Sequence, residues 1–151
     1  MIVDSGNRTE FESGAVRDIQ EGKGRCDLLP LDVVGDLFKE TEGCVLTFID
    51  DFIKSGDHKC LGAALLLSDV FDDRATMLLE VAKHFEEGAL KYGERNWEKG
   101  IPVRCYIDSG VRHYLKYLRG DDDERHDRAF CWNMLCAIWT CKHKPELNDY
   151  K

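Results

Sequence analysis

LLEVAKHFEEGALKYGERNW, residues 78–97, is the stretch on which the reading of the whole chain turns. At about 3.6 residues per turn, Leu78, Val81, Ala82, Phe85 and Ala89 share one face of a helix. Glu80, His84, Glu87 and Lys91 share another, at offsets of 4, 7 and 11 from Glu80. One helix thus carries an apolar stripe for a core and a second stripe of ionisable groups. Gly93 breaks it, and an Arg95-Asn96-Trp97 loop follows, ending in Gly100 and Pro102. A helix bearing carboxylates, followed by an Arg/Asn/Trp loop, suits the holding of a metal ion and a nucleotide. The same spacing also describes a surface helix whose Glu80/His84 and Glu87/Lys91 pairs are i,i+4 partners worth about 0.2–0.5 kcal/mol each.

The totals bound the rest. At 151 residues, 43% apolar and 33% charged, the chain is long enough for one domain with a real core. Its longest apolar run, Cys60 to Val70, falls far short of the ~20 residues of a membrane span. The first residues lack the basic and apolar regions of a secretory signal. A net charge of −8 argues against a nucleic-acid partner, which needs a basic face, but not against one nucleotide in a locally basic pocket. The seven cysteines form no CxxC pair. They point to a reduced, cytoplasmic protein, with Cys131 and Cys136 acting as small hydrophobes.

Outward from the opening helix, residues 1–13 read as a flexible arm, 14–144 as a single domain and 145–151 as a fraying tail. Gly22 and Gly24 bracket Lys23, with Arg25 next, so backbone N–H groups and cations can approach an anion together. The GxxxxGK[ST] pattern of a P-loop is absent, and a solvated loop fits equally. Pro30 opens a helix, and Val45, Phe48, Ile49, Phe52 and Ile53 give the face of another, broken at Gly56. Asp73 or Thr76 caps the helix that follows.

A further helix is expected over Val103 to Leu118, with Ile107, Val111, Tyr114/Leu115 and Leu118 apolar. Ser109, Arg112, Lys116 and Arg119 form its polar stripe, where cations can pair with phosphate oxygens or simply face water. His113 lies off that stripe. Gly120 ends the helix, and Asp121, Asp122, Asp123 and Glu124 precede His126, Asp127 and the last helix. Acidic groups there suit the positive end of the helix dipole, and they are also hard oxygen ligands beside a histidine. Asn133, inside an apolar run, needs a partner, either as a structural bridge or as a ligand reader. Gly35, Gly62, Gly88 and Gly110 fall inside expected helices, where close packing or ligand access would account for them.

Four segments together resemble a family. ESGAVRDIQEGKGRCDLLPLDVV, FEEGALKYGERNWEKGIPV, DSGVRHYLKYLRGDDDERHD and FCWNML look like the dATP/dGTP diphosphohydrolase N-terminal domain of phage and prophage proteins. The resemblance implies an all-α fold, a compact MazG-like bundle of four to five helices assembled as a homo-oligomer. It implies a pyrophosphohydrolase that uses Mg²⁺ or Mn²⁺ to cut a purine dNTP, dGTP or dATP, into the dNMP and pyrophosphate. By position, Glu80 and Glu87 match the family's acidic helix, and Asp123, His126 and Asp127 stand where its second begins. Metal ligands are therefore expected at Glu80, Glu87, Asp123, His126 and Asp127. Arg112 and Lys116 are expected to act with Glu80 and Glu87 in catalysis. Lys23, Arg25, Lys91, Asn96, Trp97, His113 and Asn133 are expected around the nucleotide. The acidic pattern is looser than the EExxE and ExxD of MazG-like enzymes. This keeps a second class open: a non-catalytic phage sponge sequestering a cyclic-nucleotide or ADP-ribose-type defence signal. A helical interaction module without a ligand is the third.

Overall fold

A computed structural model describes residues 4–151; residues 1–3, part of the expected arm, lie outside it. Its centre is the helix pair that the RHYLKYL segment builds with the last apolar run. Numbered in chain order, the helices are α1 Leu31–Gly35, α2 Glu40–Ser55, α3 Lys59–Leu67, α4 Arg74–Tyr92, α5 Val103–Arg119 and α6 His126–His143. The fold is mostly helical, as expected. A six-residue connection makes α5 and α6 neighbours, and α4 and α3 pack on α6. Layered beyond them, α2 lies on α3 and α1 on α2. Tyr106, Ile107, Val111 and Tyr114 of α5 and Phe130, Met134 and Ala137 of α6 are fully buried.

Local chemistry sets the helix ends. Asp73 accepts the Thr76 backbone N–H at 3.2 Å and so caps α4. Gly120, at φ 89°, closes α5, and Gly56, at φ 72°, closes α2. The buried stripe of α4 is rotated from the expected one. Met77, Val81 and His84 are buried, whereas Leu78 is 46% exposed. The cause is that α4 meets α6 along Trp132, whose ring contacts both His84 and Phe85.

Two ends that read as loose are ordered. Strand β1, Arg8–Glu10, pairs antiparallel with β2, Val16–Asp18, so part of the expected arm is a hairpin. Beyond Pro145, Asn148 Nδ2 donates to the Gly56 carbonyl at 2.9 Å, and Tyr150 packs edge-on against Phe52. The tail thereby ties α6 back to α2.

Three of the helical glycines, Gly35, Gly43 and Gly110, have packing reasons. A Cβ on Gly43 would run into the Gly35 carbonyl oxygen, one on Gly35 would stand 2.9 Å from the Gly43 carbonyl oxygen, and one on Gly110 2.6 Å from Met134 Cε. The first clash is with backbone and cannot be relieved by a rotamer. Gly43→Ala should therefore lower stability by about 1–3 kcal/mol in urea unfolding. An unchanged midpoint would show that α1 is free to move off α2.

Candidate functional site

Where α4, α5, α6 and the β-hairpin meet, they leave a cavity of about 790 Å³. This is the size range of small-molecule sites. Helix α5 contributes Ser109, Arg112, His113 and Lys116, and α6 contributes Trp132 and Asn133. Helix α4 contributes His84, Phe85, Gly88 and Tyr92, so Gly88 is the helical glycine that opens space for a ligand. The hairpin and the glycine loop supply Arg17, Asp18 and Lys23.

Most of the expected cations are already committed. Arg112 Nη2 donates to Asp108 Oδ2 and to the Gly24 carbonyl, each at 2.6 Å, and its Nε reaches the Lys23 carbonyl at 3.3 Å. It thus fixes the Gly-Lys-Gly-Arg loop by its backbone. Lys23 pairs with Asp18 at 2.6 Å, Arg25 holds Asp27 through two bonds of 2.7 and 2.8 Å, and Lys91 lies 3.6 Å from Asp4. Arg25 and Lys91 do not line the cavity. Arg119 is turned away and paired with Asp121. Among the described residues, Lys116 and Arg17 are cavity-lining cations without a carboxylate partner.

Arg17 is a functional candidate that sequence reasoning missed. Its guanidinium lies 5.2 Å from the Tyr106 ring centroid and 5.7 Å from that of Trp132. Nη2 donates to Asn133 Oδ1 at 3.3 Å, while Nη1 is buried without a partner. Asn133 is the structural bridge, donating in turn to the Ala129 carbonyl at 2.8 Å. Two more atoms on cavity-lining residues, His84 Nδ1 and Trp132 Nε1, are buried and unpartnered. Such atoms are rare enough in folded proteins to mark a place where a ligand or water completes the bonding.

The Arg-Asn-Trp loop serves the scaffold as well as the cavity. Asn96 Oδ1 accepts the Val16 N–H at 2.8 Å and its Nδ2 donates to the Val16 carbonyl at 2.7 Å, which clamps β2. Trp97 lines the cavity while packing at a tilt against Phe85 and edge-on against Trp139. Trp132 and Tyr92 were not foreseen as cavity walls.

The acidic stripe of α4 meets arginines. Arg128, 5% exposed, stands between Glu87 at 2.7 Å and Glu80 at 3.6 Å. Arg125 reaches Glu80 at 3.2 Å and holds Asp127 through two bonds of 2.9 Å. A hydrogen bond from Lys83 holds the Glu80 carboxyl below its usual range. Among the described residues, Glu80, Glu87 and Asp127 belong to no group of three ligand-capable side chains. Asp123 and His126 do. His113, Glu124 and His126 bring ligand atoms within 4.8 Å of one another, as do Asp121, Asp123 and His126. His113, Asp123 and Glu124 also line the cavity.

A mostly helical protein with a cation- and aromatic-walled cavity, rimmed by histidine and carboxylate, is what fold and site define. The sequence comparison supplies the family: residues 55–150, well over half of the chain, match the dATP/dGTP diphosphohydrolase, N-terminal, family, and the chain belongs to it. No curated protein and no solved structure matches.

Burial, and then the charge of Arg128, push the His84 pKa down to about 4. Burial, and then His126, push His113 down to about 2. The folded state thus refuses protons that the unfolded chain accepts below about pH 6.5, so stability falls as pH drops from there. His84 alone should cost about 2 kcal/mol by about pH 5. His84→Phe should shrink the difference between urea midpoints at about pH 7.5 and about pH 5. An undiminished difference would assign the acid sensitivity to other groups.

Proposed function

We propose that the protein is a metal-dependent nucleotide pyrophosphohydrolase. It would cut a purine dNTP, dGTP or dATP, between the α- and β-phosphates to give the dNMP and pyrophosphate. The observation that carries this reading is the convergence of Lys116 and Arg17, neither paired with a carboxylate, buried polar atoms without partners and two aromatic walls on one cavity of about 790 Å³. The family's name supplies the substrate class.

In this reading Lys116 takes the charge of the outer phosphates and Arg17, stiffened by its two rings, presents Nη1 beside them. Trp132 and Tyr92 flank the base. Arg112 acts by holding the glycine loop, and so Lys23, over the opening.

Mg²⁺ or Mn²⁺ belongs to the proposal, and the donor sets decide where. At Glu80 and Glu87 an ion would have to displace Arg125 and Arg128, so the fit is poor. At the rim, Asp123, Glu124, His113 and His126 offer oxygen and nitrogen donors next to Lys116, and there the residues fit a divalent ion. When bound, such an ion lowers the pKa of water and offsets phosphate charge.

The kinship with MazG-like bundles and the subunit pairing stay part of the proposal. Pairing is supported by leucines standing in solvent, among them Leu37, Leu79 and Leu90. No helix among the described residues is long and apolar enough to cross a membrane, and the seven cysteines are unbridged, in keeping with a cytoplasmic site. The arginine-bound state of Glu80 and Glu87 favours one second reading, a nucleotide-sequestering protein without turnover, holding a cyclic-nucleotide or ADP-ribose-type signal.

The test is pyrophosphate release from dGTP and dATP with Mg²⁺ or Mn²⁺. Lys116→Gln and Arg17→Gln should each lower kcat/KM by about 10- to 100-fold, the loss of one charge-assisted contact. Turnover unaffected by both would move the reaction out of the cavity. Tight nucleotide binding with no pyrophosphate would establish the sequestering role instead.

A further inference from the structure

The rim of the cavity gathers four side chains from three elements: His113 on α5, Asp123 and Glu124 on the connection, and His126 at the start of α6. His126 is 2% exposed, so its ring is fixed. Its Nε2 lies 2.6 Å from Asp123 Oδ1 and its Nδ1 lies 2.9 Å from His113 Nδ1. Donation of Nε2–H to Asp123 leaves His126 Nδ1 bare, which is how a carboxylate sets the tautomer of a metal-ligating histidine. The bare nitrogen faces a second imidazole nitrogen rather than water. Two nitrogens each about 2.0–2.1 Å from one ion and about 90° apart would lie about 2.9 Å from each other. The Glu124 carboxylate completes the group, within 4.8 Å of both rings.

We propose that His113, Glu124 and His126 form a site for a divalent first-row transition ion, with Asp123 as the residue that orients His126. Two nitrogens and one oxygen suit Mn²⁺, Fe²⁺, Co²⁺ or Zn²⁺, whereas Mg²⁺ prefers an all-oxygen octahedron. The site is distinct from the α4 carboxylates of the family resemblance. Its placement beside Lys116 makes it the cation of the phosphate end, a role that rests on the hydrolase reading; the ion binding itself does not.

The experiment uses the whole protein stripped by a chelator, titrated with Mn²⁺ without nucleotide and followed by the loss of the free-Mn²⁺ EPR signal. One ion should bind per chain, and Co²⁺ or Zn²⁺ should displace it at far lower concentration than Mg²⁺. Glu124→Gln and His113→Gln should each weaken Mn²⁺ about tenfold or more, and Asp123→Asn about tenfold through the ring it orients. Glu124 is half-buried on a connection, so its variant should fold even if a buried histidine variant does not, with circular dichroism as the check. Asp121→Asn should leave Mn²⁺ affinity intact, because Asp121 belongs to Arg119. Unchanged affinity in both Glu124→Gln and His113→Gln, displacement by Mg²⁺ as readily as by Zn²⁺, or a loss confined to Asp121→Asn would each overturn the site. Site-dependent Mn²⁺ binding with no pyrophosphate release would leave the site standing and remove the hydrolase reading. Pyrophosphate release with no Mn²⁺ binding would do the reverse.

Discussion

A buried ion pair on α5 organises everything around the cavity. Asp108 and Arg112, 2% and 8% exposed, sit one turn apart and bond at 2.6 Å. Neither stops there. Asp108 accepts the Cys26 N–H, and Arg112 takes the carbonyls of Lys23 and Gly24. The pair therefore pins residues 23–26 to the central helix through their backbone, while the Cys26 side chain packs on the core. Deleting one partner would strand the other charge in the interior, at about 3–5 kcal/mol. Because Lys23 lies within the anchored segment, its place at the front of the cavity depends on it.

The opposite wall is governed by a second electrostatic arrangement. Arg125 and Arg128 at the start of α6 face Glu80 and Glu87 on α4, and these pairs lock the two helices in register. Charges that a spacing argument assigns to chemistry are in this way neutralised by the scaffold. Lys116 and Arg17, on the cavity wall, have no carboxylate partner among the described residues. The partition has a simple physical basis: the buried charges Asp108, Arg112 and Arg128 are paired, whereas the half-buried Lys116 and Arg17 border a space open to water.

Much of the helical frame was legible in the sequence. The start of α4 follows from Asp73, the stop of α5 from Gly120, and the apolar face of α2 from Val45, Ile49 and Phe52. The hairpin was not legible, since three-residue strands carry too little alternation to register. Helix α3 hid inside an apolar run with no periodic stripe. Of the cavity's lining residues, Lys116 and Asn133 were singled out from helical position alone. Arg17 was not, because its setting is made by Tyr106, Trp132 and Asn133, which lie far along the chain. The arginines that engage Glu80 and Glu87 were invisible for the same reason: helical period tells which residues share a face, not what that face meets.

The hairpin has one more consequence. The segment that matches the family, residues 55–150, contains α4, α5 and α6 but neither β2 nor the glycine loop. The chamber is thus assembled from a helical cup and a separate front panel, hinged on the Asn96 clamp and the Asp108–Arg112 anchor. Panel and cup also meet through the fully buried Ala15, through the Ser13 hydroxyl on the Gly100 carbonyl, and through Arg17 against Tyr106, Trp132 and Asn133. A substitution in the panel is therefore felt by the helices as well, so the front of the chamber and the packing of the bundle are coupled in this architecture.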